Sequence, residues 1–101
     1  MHATKVVEQL LEGREVKYRP QGNSMTPRVY SGQLVTVSPL KDDDVIERSD
    51  IVLAKVGGRL YLHLVTSVES DGRYQISNNH GHINGYATRK NVFGRLTMIE
   101  P

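Results

Sequence analysis

The 101-residue sequence contains no cysteine. Disulfide bonds and thiolate chemistry are therefore excluded, and the chain is compatible with a reducing compartment. The sequence also has no apolar run long enough for the hydrophobic part of a signal peptide or for a bilayer span. These absences predict a cytoplasmic protein without membrane contact. The length fits one domain over residues 1–101 with a single modest core, and it leaves no room for a second domain.

Charge of either sign is in little excess. Thirteen Lys and Arg residues stand against eleven Asp and Glu residues, which gives a formal net charge of +2. The basic residues are scattered, and the acidic run Asp42-Asp43-Asp44 interrupts them. This pattern is typical of a solvated surface, and it does not predict direct contact with nucleic acid.

One helix is predicted at the N-terminus, over Thr4–Glu12. Thr4 is a candidate N-cap and Gly13 a natural stop, so residues 1–14 form the helical part of the chain and residues 15–101 a β-rich body. The helix has one apolar stripe, made of Val6, Val7, Leu10 and Leu11.

After the helix, the hydrophobic period changes to two. Runs such as "QLVTVSPL", "DIVLAKV", "RLYLHLVTSV" and "NVFGRLTMI" have the length and composition of strands. Three dipeptides tolerate the positive φ values of tight hairpin turns. They are Gly57-Gly58, Asp71-Gly72 and Asn84-Gly85. The sequence therefore predicts a mainly β fold of consecutive hairpins, either a small curled barrel or two packed sheets, with one N-terminal helix.

Ser24 lies in "QGNSMTPRVY", just before Thr26 and Pro27. Thr26 could cap a short helix with Pro27 at its first position. A serine at such a place is commonly a turn former that uses its hydroxyl locally. To act as a nucleophile it needs a base within hydrogen-bond reach, because a free hydroxyl is a weak nucleophile near neutral pH.

Two groups of histidines are candidates for chemistry. His63 shares a strand face with Tyr61 and Val65, so it is either a structural histidine bonded to a carbonyl or a general base. His80 and His82 are spaced i, i+2, but two ligands do not make a zinc site and no cysteine can complete one. We therefore predict neither a metal nor another cofactor.

Several blocks in order resemble the LexA-type repressor peptidases and the type I signal peptidases. They are "GNSMTPRVYSGQLVTV", "SDIVLAKVGGRLYLHLVTSV", "RYQISNNHGHINGY" and "NVFGRL", which together cover about residues 16–99. The resemblance implies a curled β fold of the LexA C-terminal or signal-peptidase type. It also implies that Ser24 is the nucleophile and His63 the base, as in the endoplasmic-reticulum and archaeal signal peptidases. Backbone N–H groups near Ser24 and the Asn23 side chain would hold the oxyanion.

The sequence departs from the family pattern at several positions. Gln33 follows Gly32 where an acid is usual, Ser49 replaces the glycine before Asp50, and Leu64 follows the base in place of an arginine. Asn78 stands where the histidine-type enzymes have the acid that orients the imidazole. The resemblance thus predicts a weak dyad oriented by Asn78, a dyad supported by another acid such as Asp50, or a pocket without catalysis.

Three classes of function follow, of which the third, a nucleic-acid-associated regulator, is supported only by the slight basicity and by the resemblance to repressors. The first is a stand-alone cytoplasmic serine peptidase that cleaves a peptide bond, or itself, through Ser24 and His63. The second is an inactive peptidase-fold module that binds a peptide or protein partner by strand addition, in the setting of a phage or mobile-element regulator. We expect neither a helix-turn-helix domain nor a membrane anchor before the first strand, and unpaired edge strands make a homodimer a further expectation.

Overall fold

The first element of the computed structural model is the helix α1, Ala3–Leu11. The structure describes the backbone of residues 3–101 and the side chains of residues 5–101. The predicted cap Thr4 lies outside the described side chains. Gly13, at φ 84°, ends the helix, since its N–H donates to the Leu10 carbonyl and the Arg14 N–H donates to the Gln9 carbonyl. This pair of bonds is the Schellman pattern, which satisfies the last carbonyls of a helix.

After α1, seven strands of the described chain form one antiparallel sheet in the order β1-β2-β7-β3-β4-β5-β6, and a short 3-10 helix, Arg89–Asn91, precedes β7. The strands are β1 Val16–Tyr18, β2 Leu34–Pro39, β3 Ile51–Val56, β4 Arg59–Val68, β5 Tyr74–Ser77, β6 Ile83–Ala87 and β7 Val92–Glu100. The predicted mainly β fold with one N-terminal helix is confirmed. The expected alternatives are a small curled barrel or two packed sheets, and the described strands form one sheet.

The sheet buries a core on each side. On one side, α1 packs Val6 and Leu10 against β1, β2 and Leu53 of β3. On the other side, residues of β3, β4, β5 and β6 form a second cluster that includes Val52 and Ile76. Although β4 and β5 separate them in the sheet order, β3 and β6 contact each other across this second cluster. Alternate residues of β4 therefore face different cores.

The hairpin predictions have mixed outcomes. Gly57 and Gly58 join β3 to β4 with φ values of 57° and 83°, as a primed two-residue turn requires. The expectation of a turn at Asn84-Gly85 is wrong, because both residues lie within β6. Gly85 is required there for space, since a Cβ at that position would lie 2.8 Å from Val56 Cγ1. The turn between β5 and β6 is instead formed by residues 78–82, referred to below as the 78–82 turn.

Candidate active site

Ser24 lies on the irregular loop of residues 20–33 between β1 and β2, which is called the serine loop below. The loop is closed at its base by the Gly32 N–H, which donates to the Pro20 carbonyl at 2.9 Å. Met25 and Val29 anchor it by inserting their side chains into the core under α1. Between these anchors, Ser24 stays exposed to solvent.

The predicted short helix within "TPRVY" is not formed, and this part of the serine loop consists of turns. The Thr26 hydroxyl does not cap a helix. It donates to the Asn23 carbonyl at 2.9 Å, and the Thr26 N–H approaches the same oxygen at 3.3 Å. A side chain that bonds to the backbone behind it favours a turn over a helical start.

His63 comes from the middle of β4, opposite Val52 of β3, and is only 7% exposed. Its Nε2 lies 3.0 Å from Ser24 Oγ, and its Nδ1 lies 2.6 Å from Asn84 Oδ1. Because an amide oxygen can only accept, Nδ1 carries the proton and Nε2 is left as the acceptor for the Ser24 hydroxyl. The prediction that Ser24 and His63 lie within hydrogen-bond reach is confirmed, whereas their catalytic roles stay a prediction.

The environment of His63 favours the neutral imidazole. Burial lowers the pKa of His63 below its ordinary value. The hydrogen bond to Asn84 acts in the opposite direction and raises this pKa, while the nearby charge of His82 lowers it further. The net direction is downward, so at neutral pH His63 is unprotonated and Nε2 can accept a proton.

The residue expected to orient His63 is not the one that does so. Asn78 does not contact the imidazole. Its Oδ1 accepts the N–H groups of His80 and His82 at 2.8 Å and 2.9 Å, and it thereby organises the 78–82 turn. The expectation for Asn78 is corrected to Asn84, which β6 brings up to the imidazole from the far end of the same hairpin.

Asp50, the other residue expected to support the dyad, makes its contacts away from His63. Its carboxylate accepts the Glu47 N–H at 2.8 Å and forms an ion pair with Arg95 at 3.2 Å. No hydrogen bond joins it to His63 among the described residues, so its contacts make it an anchor for the loop before β3.

The Asn23 side chain makes no hydrogen bond to another described residue, and its expected role at the oxyanion stays a prediction. The N–H groups of Ser24 and Met25 also have no acceptor within the described chain.

His80 and His82 do not form a metal cluster with other residues. His80 Nε2 lies 3.0 Å from the Asn23 carbonyl oxygen and 3.3 Å from Thr26 Oγ1, so it joins the 78–82 turn to the serine loop. Across residues 3–101, no three His, Cys, Asp or Glu side chains come together as metal ligands would.

An open cleft of about 440 Å³ begins at Ser24 and His63. Its lining contains no Asp, Glu, Lys or Arg, so the cleft offers apolar and neutral polar surface. Tyr18 is part of this lining, and burial raises the pKa of its phenol to about 12. The lining residues are Tyr18, Pro20, Gln21, Gly22, Ser24, Met25, Val29, Tyr30, Leu53, Leu60, Tyr61, Leu62 and His63.

One wall of the cleft is the first half of β4, which has a free edge. β5 pairs with β4 only from Leu64 onward, so the segment from Arg59 to His63 is paired to β3 alone. Val56 and Arg59 flank a two-residue turn, so they form a hydrogen-bonded pair between β3 and β4. In an antiparallel pair of strands only every second residue bonds to the partner strand, which leaves Leu60 and Leu62 without bonds to β3. Their backbone N–H and C=O groups therefore point away from β3, toward the cleft.

Sequence reasoning missed Asn84 because the Asn84-Gly85 dipeptide has the composition of a turn. Two signals could have corrected this. Asn78, Asn79 and Gly81 provide turn residues a few positions earlier, and "HINGYA" from His82 to Ala87 has the length of a strand.

A curled antiparallel sheet with a serine on a loop beside a histidine on a central strand defines a peptidase-like domain. A family model described as Peptidase S24-like matches residues 5–97 of the chain. The chain therefore belongs to the Peptidase S24-like family, which confirms the resemblance to the LexA-type peptidases. A comparison with curated protein sequences finds no significant match. Within the described residues, no helix is both long enough and apolar enough to cross a membrane.

Proposed function

We propose that this protein is a serine hydrolase of peptide bonds, with Ser24 as the nucleophile and His63 as the general base. The observation that supports the proposal best is the continuous chain from Ser24 Oγ to His63 Nε2, and from His63 Nδ1 to Asn84 Oδ1, over 3.0 Å and 2.6 Å. A nucleophile, a base and a third group that orients the base are the arrangement that activates a serine hydroxyl.

The proposed reaction begins when Ser24 Oγ attacks the scissile carbonyl carbon and its proton passes to His63 Nε2. The C–O bond forms as the carbonyl π bond opens, which gives a tetrahedral oxyanion and an imidazolium. Collapse of this intermediate expels the amine, to which His63 Nε2 returns the proton. Water then repeats the sequence on the acyl-serine, releases the acid and regenerates the Ser24 hydroxyl.

The free N–H groups of Ser24 and Met25 are the proposed oxyanion donors. They belong to the same turn as the nucleophile, so they need no reorganisation when the negative charge develops. Removal of one such donor costs about 10²–10³ in rate in well-studied hydrolases.

Substrate is proposed to enter as an extended chain along the free edge of β4. The outward backbone groups of Leu60 and Leu62 would pair with the peptide main chain, as in strand addition. The absence of charged residues from the cleft lining favours a peptide segment with uncharged side chains near the scissile bond.

Covalent labelling with a fluorophosphonate tests the chemistry directly. The wild-type protein should gain one adduct, mapped to Ser24 by peptide mass spectrometry. Ser24→Ala should gain none, and His63→Ala should label about 10²–10⁴-fold more slowly, which is the usual contribution of a general base. Ser67→Ala, which removes a hydroxyl of β4 that does not line the cleft, is the control and should label like the wild type.

The second candidate function is the peptide-binding module without catalysis, because an amide stands where an acid would stabilise the imidazolium. An intact fold with no labelling of Ser24 in the wild type would reject the hydrolase and leave this alternative.

A further inference from the structure

We infer that Asn79 is a positioning residue for the nucleophile: it clamps the serine loop so that Ser24 Oγ faces His63 Nε2. This inference rests on the proposed function for its kinetic consequences, but the contact that it concerns can be measured without any reaction. Asn79 lies in the 78–82 turn, and neither its spacing from other residues nor its neighbours in the sequence predicted a role for it.

Asn79 contacts the serine loop at three points. Its backbone N–H donates to the Ser24 carbonyl at 2.8 Å. Its side-chain Nδ2 donates to the Thr26 carbonyl at 2.9 Å, and its Oδ1 accepts from Arg28 Nε at 2.8 Å. The three partners are spaced at i, i+2 and i+4 along the loop. One residue therefore fixes the main chain on both sides of Met25, through its backbone N–H and its side-chain amide.

Ser24 needs such a clamp because it lies in no helix or strand, and among the described residues its neighbour Asn23 is held only by loop contacts from Thr26 and His80. Ser24 is exposed, and the anchors Met25 and Val29 lie only on its C-terminal side. An unfixed loop of this length samples many conformations, and holding a hydroxyl at one distance from a base then costs conformational entropy. Hydrogen bonds from a neighbouring hairpin reduce that cost before substrate arrives.

The position of Asn79 in the chain connects the clamp to the base. Asn84, five residues further along the same β5–β6 hairpin, holds His63 Nδ1. One short hairpin thus fixes the Ser24 main chain through Asn79 and the His63 ring through Asn84. The 3.0 Å separation of Ser24 Oγ and His63 Nε2 depends on this shared support.

The test compares Asn79→Ala with the wild type in two measurements. The first is the second-order rate of fluorophosphonate labelling, which should fall by about 10–100-fold, as expected for a reacting group displaced by about an ångström. The second is the ¹⁵N NMR titration of His63. Loss of the hydrogen bond from Ser24 should change the Nε2 shift in Asn79→Ala in the same direction as in Ser24→Ala.

Asn91→Ala is the matched control, because the Asn91 side chain makes no hydrogen bond to another described residue. It should label and titrate like the wild type. Arg28→Ala gives a second, milder variant, since it removes only the bond to Asn79 Oδ1 from an exposed side chain. It should slow labelling less than Asn79→Ala, and it should add nothing in the double variant, because that bond is already lost.

The outcomes separate the two proposals. If wild-type Ser24 does not label but the His63 shift moves equally in Asn79→Ala and Ser24→Ala, the hydrolase is rejected and the clamp is supported. If the wild type labels while Asn79→Ala retains the wild-type rate and titration, the clamp is rejected. If Asn79→Ala does not fold, Arg28→Ala decides the question, and a wild-type rate and titration in that variant reject the clamp.

Discussion

Asn84→Asp is the substitution that should change the proposed chemistry most informatively. In the folded protein, Asn84 Oδ1 lies 2.6 Å from His63 Nδ1, and the substitution places a carboxylate on that nitrogen with almost no change of shape. The imidazolium that forms when His63 accepts the Ser24 proton would then face a negative charge. We expect the pKa of His63 to rise, because an adjacent opposite charge stabilises the protonated ring.

The magnitude follows from the distance. Charges about 4 Å apart attract by about 4 kcal/mol at an effective dielectric constant of about 20. Part of this is lost in holding the new carboxylate away from water. A hydrogen bond to a charged group contributes about 1.5–3 kcal/mol and a neutral one about 1 kcal/mol, so the net gain is about 1–2 kcal/mol. That gain corresponds to a rise of about one in the pKa of His63 and a rate increase of about 5–30-fold.

The assay is labelling by the fluorophosphonate as a function of pH, combined with NMR titration of His63. In Asn84→Asp, the plateau rate above neutral pH should rise, and the acid limb of the profile should move to higher pH. Ser24→Ala in the same background should abolish labelling, which assigns any gain to the dyad.

Asn78→Asp is the matched control, because it makes the same change in the same hairpin. Asn78 contacts two backbone N–H groups of the 78–82 turn and not the imidazole. It should therefore leave the His63 titration near the wild-type position. An equal effect of both substitutions would show that the contact with Asn84 is not specific. No effect of Asn84→Asp on either measurement would refute the proposed orientation of His63.

Two further predictions concern stability. The pKa of His63 is lowered in the folded state, so on acidification the unfolded chain binds a proton at His63 before the folded chain does. The free energy of unfolding should therefore fall as the pH decreases below about 6.5, by at most about 1.4 kcal/mol per pH unit. Urea unfolding between about pH 5 and 8 should show a smaller acid loss in His63→Asn, and equal losses would contradict the shift. Gly94→Ala should cost about 1–3 kcal/mol by the same assay, since its Cβ would lie 2.7 Å from Val37 Cγ1 and 2.8 Å from the Ser38 carbonyl oxygen. An unchanged urea midpoint in Gly94→Ala would show that β2 can move aside to admit the added methyl group.

The strands and the Ser24–His63 pair could be predicted from the sequence for different reasons. Strands such as β3 and β4 have a local period of two with β-branched residues, and their partners follow from the turn at Gly57-Gly58. The Ser24–His63 contact joins residues 39 positions apart, which no local pattern encodes, and the resemblance to the family supplied it.

Asn84 and Asn79 could not be found in the same way. The Asn-Gly dipeptide at 84 has the same composition in a hairpin turn and in a strand whose neighbour comes close. The approach of Val56 Cγ1 to Gly85 explains why the strand needs a glycine there, and that contact depends on the curl of the whole sheet. Asn79 acts through the serine loop more than fifty residues before it. Its neighbour Asn78 has the same side chain but faces inward, into the 78–82 turn.

The choice of an amide at position 84 has a definite chemical consequence for the proposed reaction. Burial keeps the His63 pKa low, and Asn84 fixes the tautomer without adding a negative charge, so the base is unprotonated at neutral pH. The same neutrality withholds electrostatic stabilisation from the imidazolium, which corresponds to about 1–2 kcal/mol or about 5–30-fold in rate. The geometry therefore favours a correctly oriented but slow hydrolase, whose rate depends mainly on the positioning of Ser24 and on oxyanion stabilisation. A hydrolase with a slow chemical step cleaves a peptide efficiently only if the peptide stays bound in the cleft longer than that step takes.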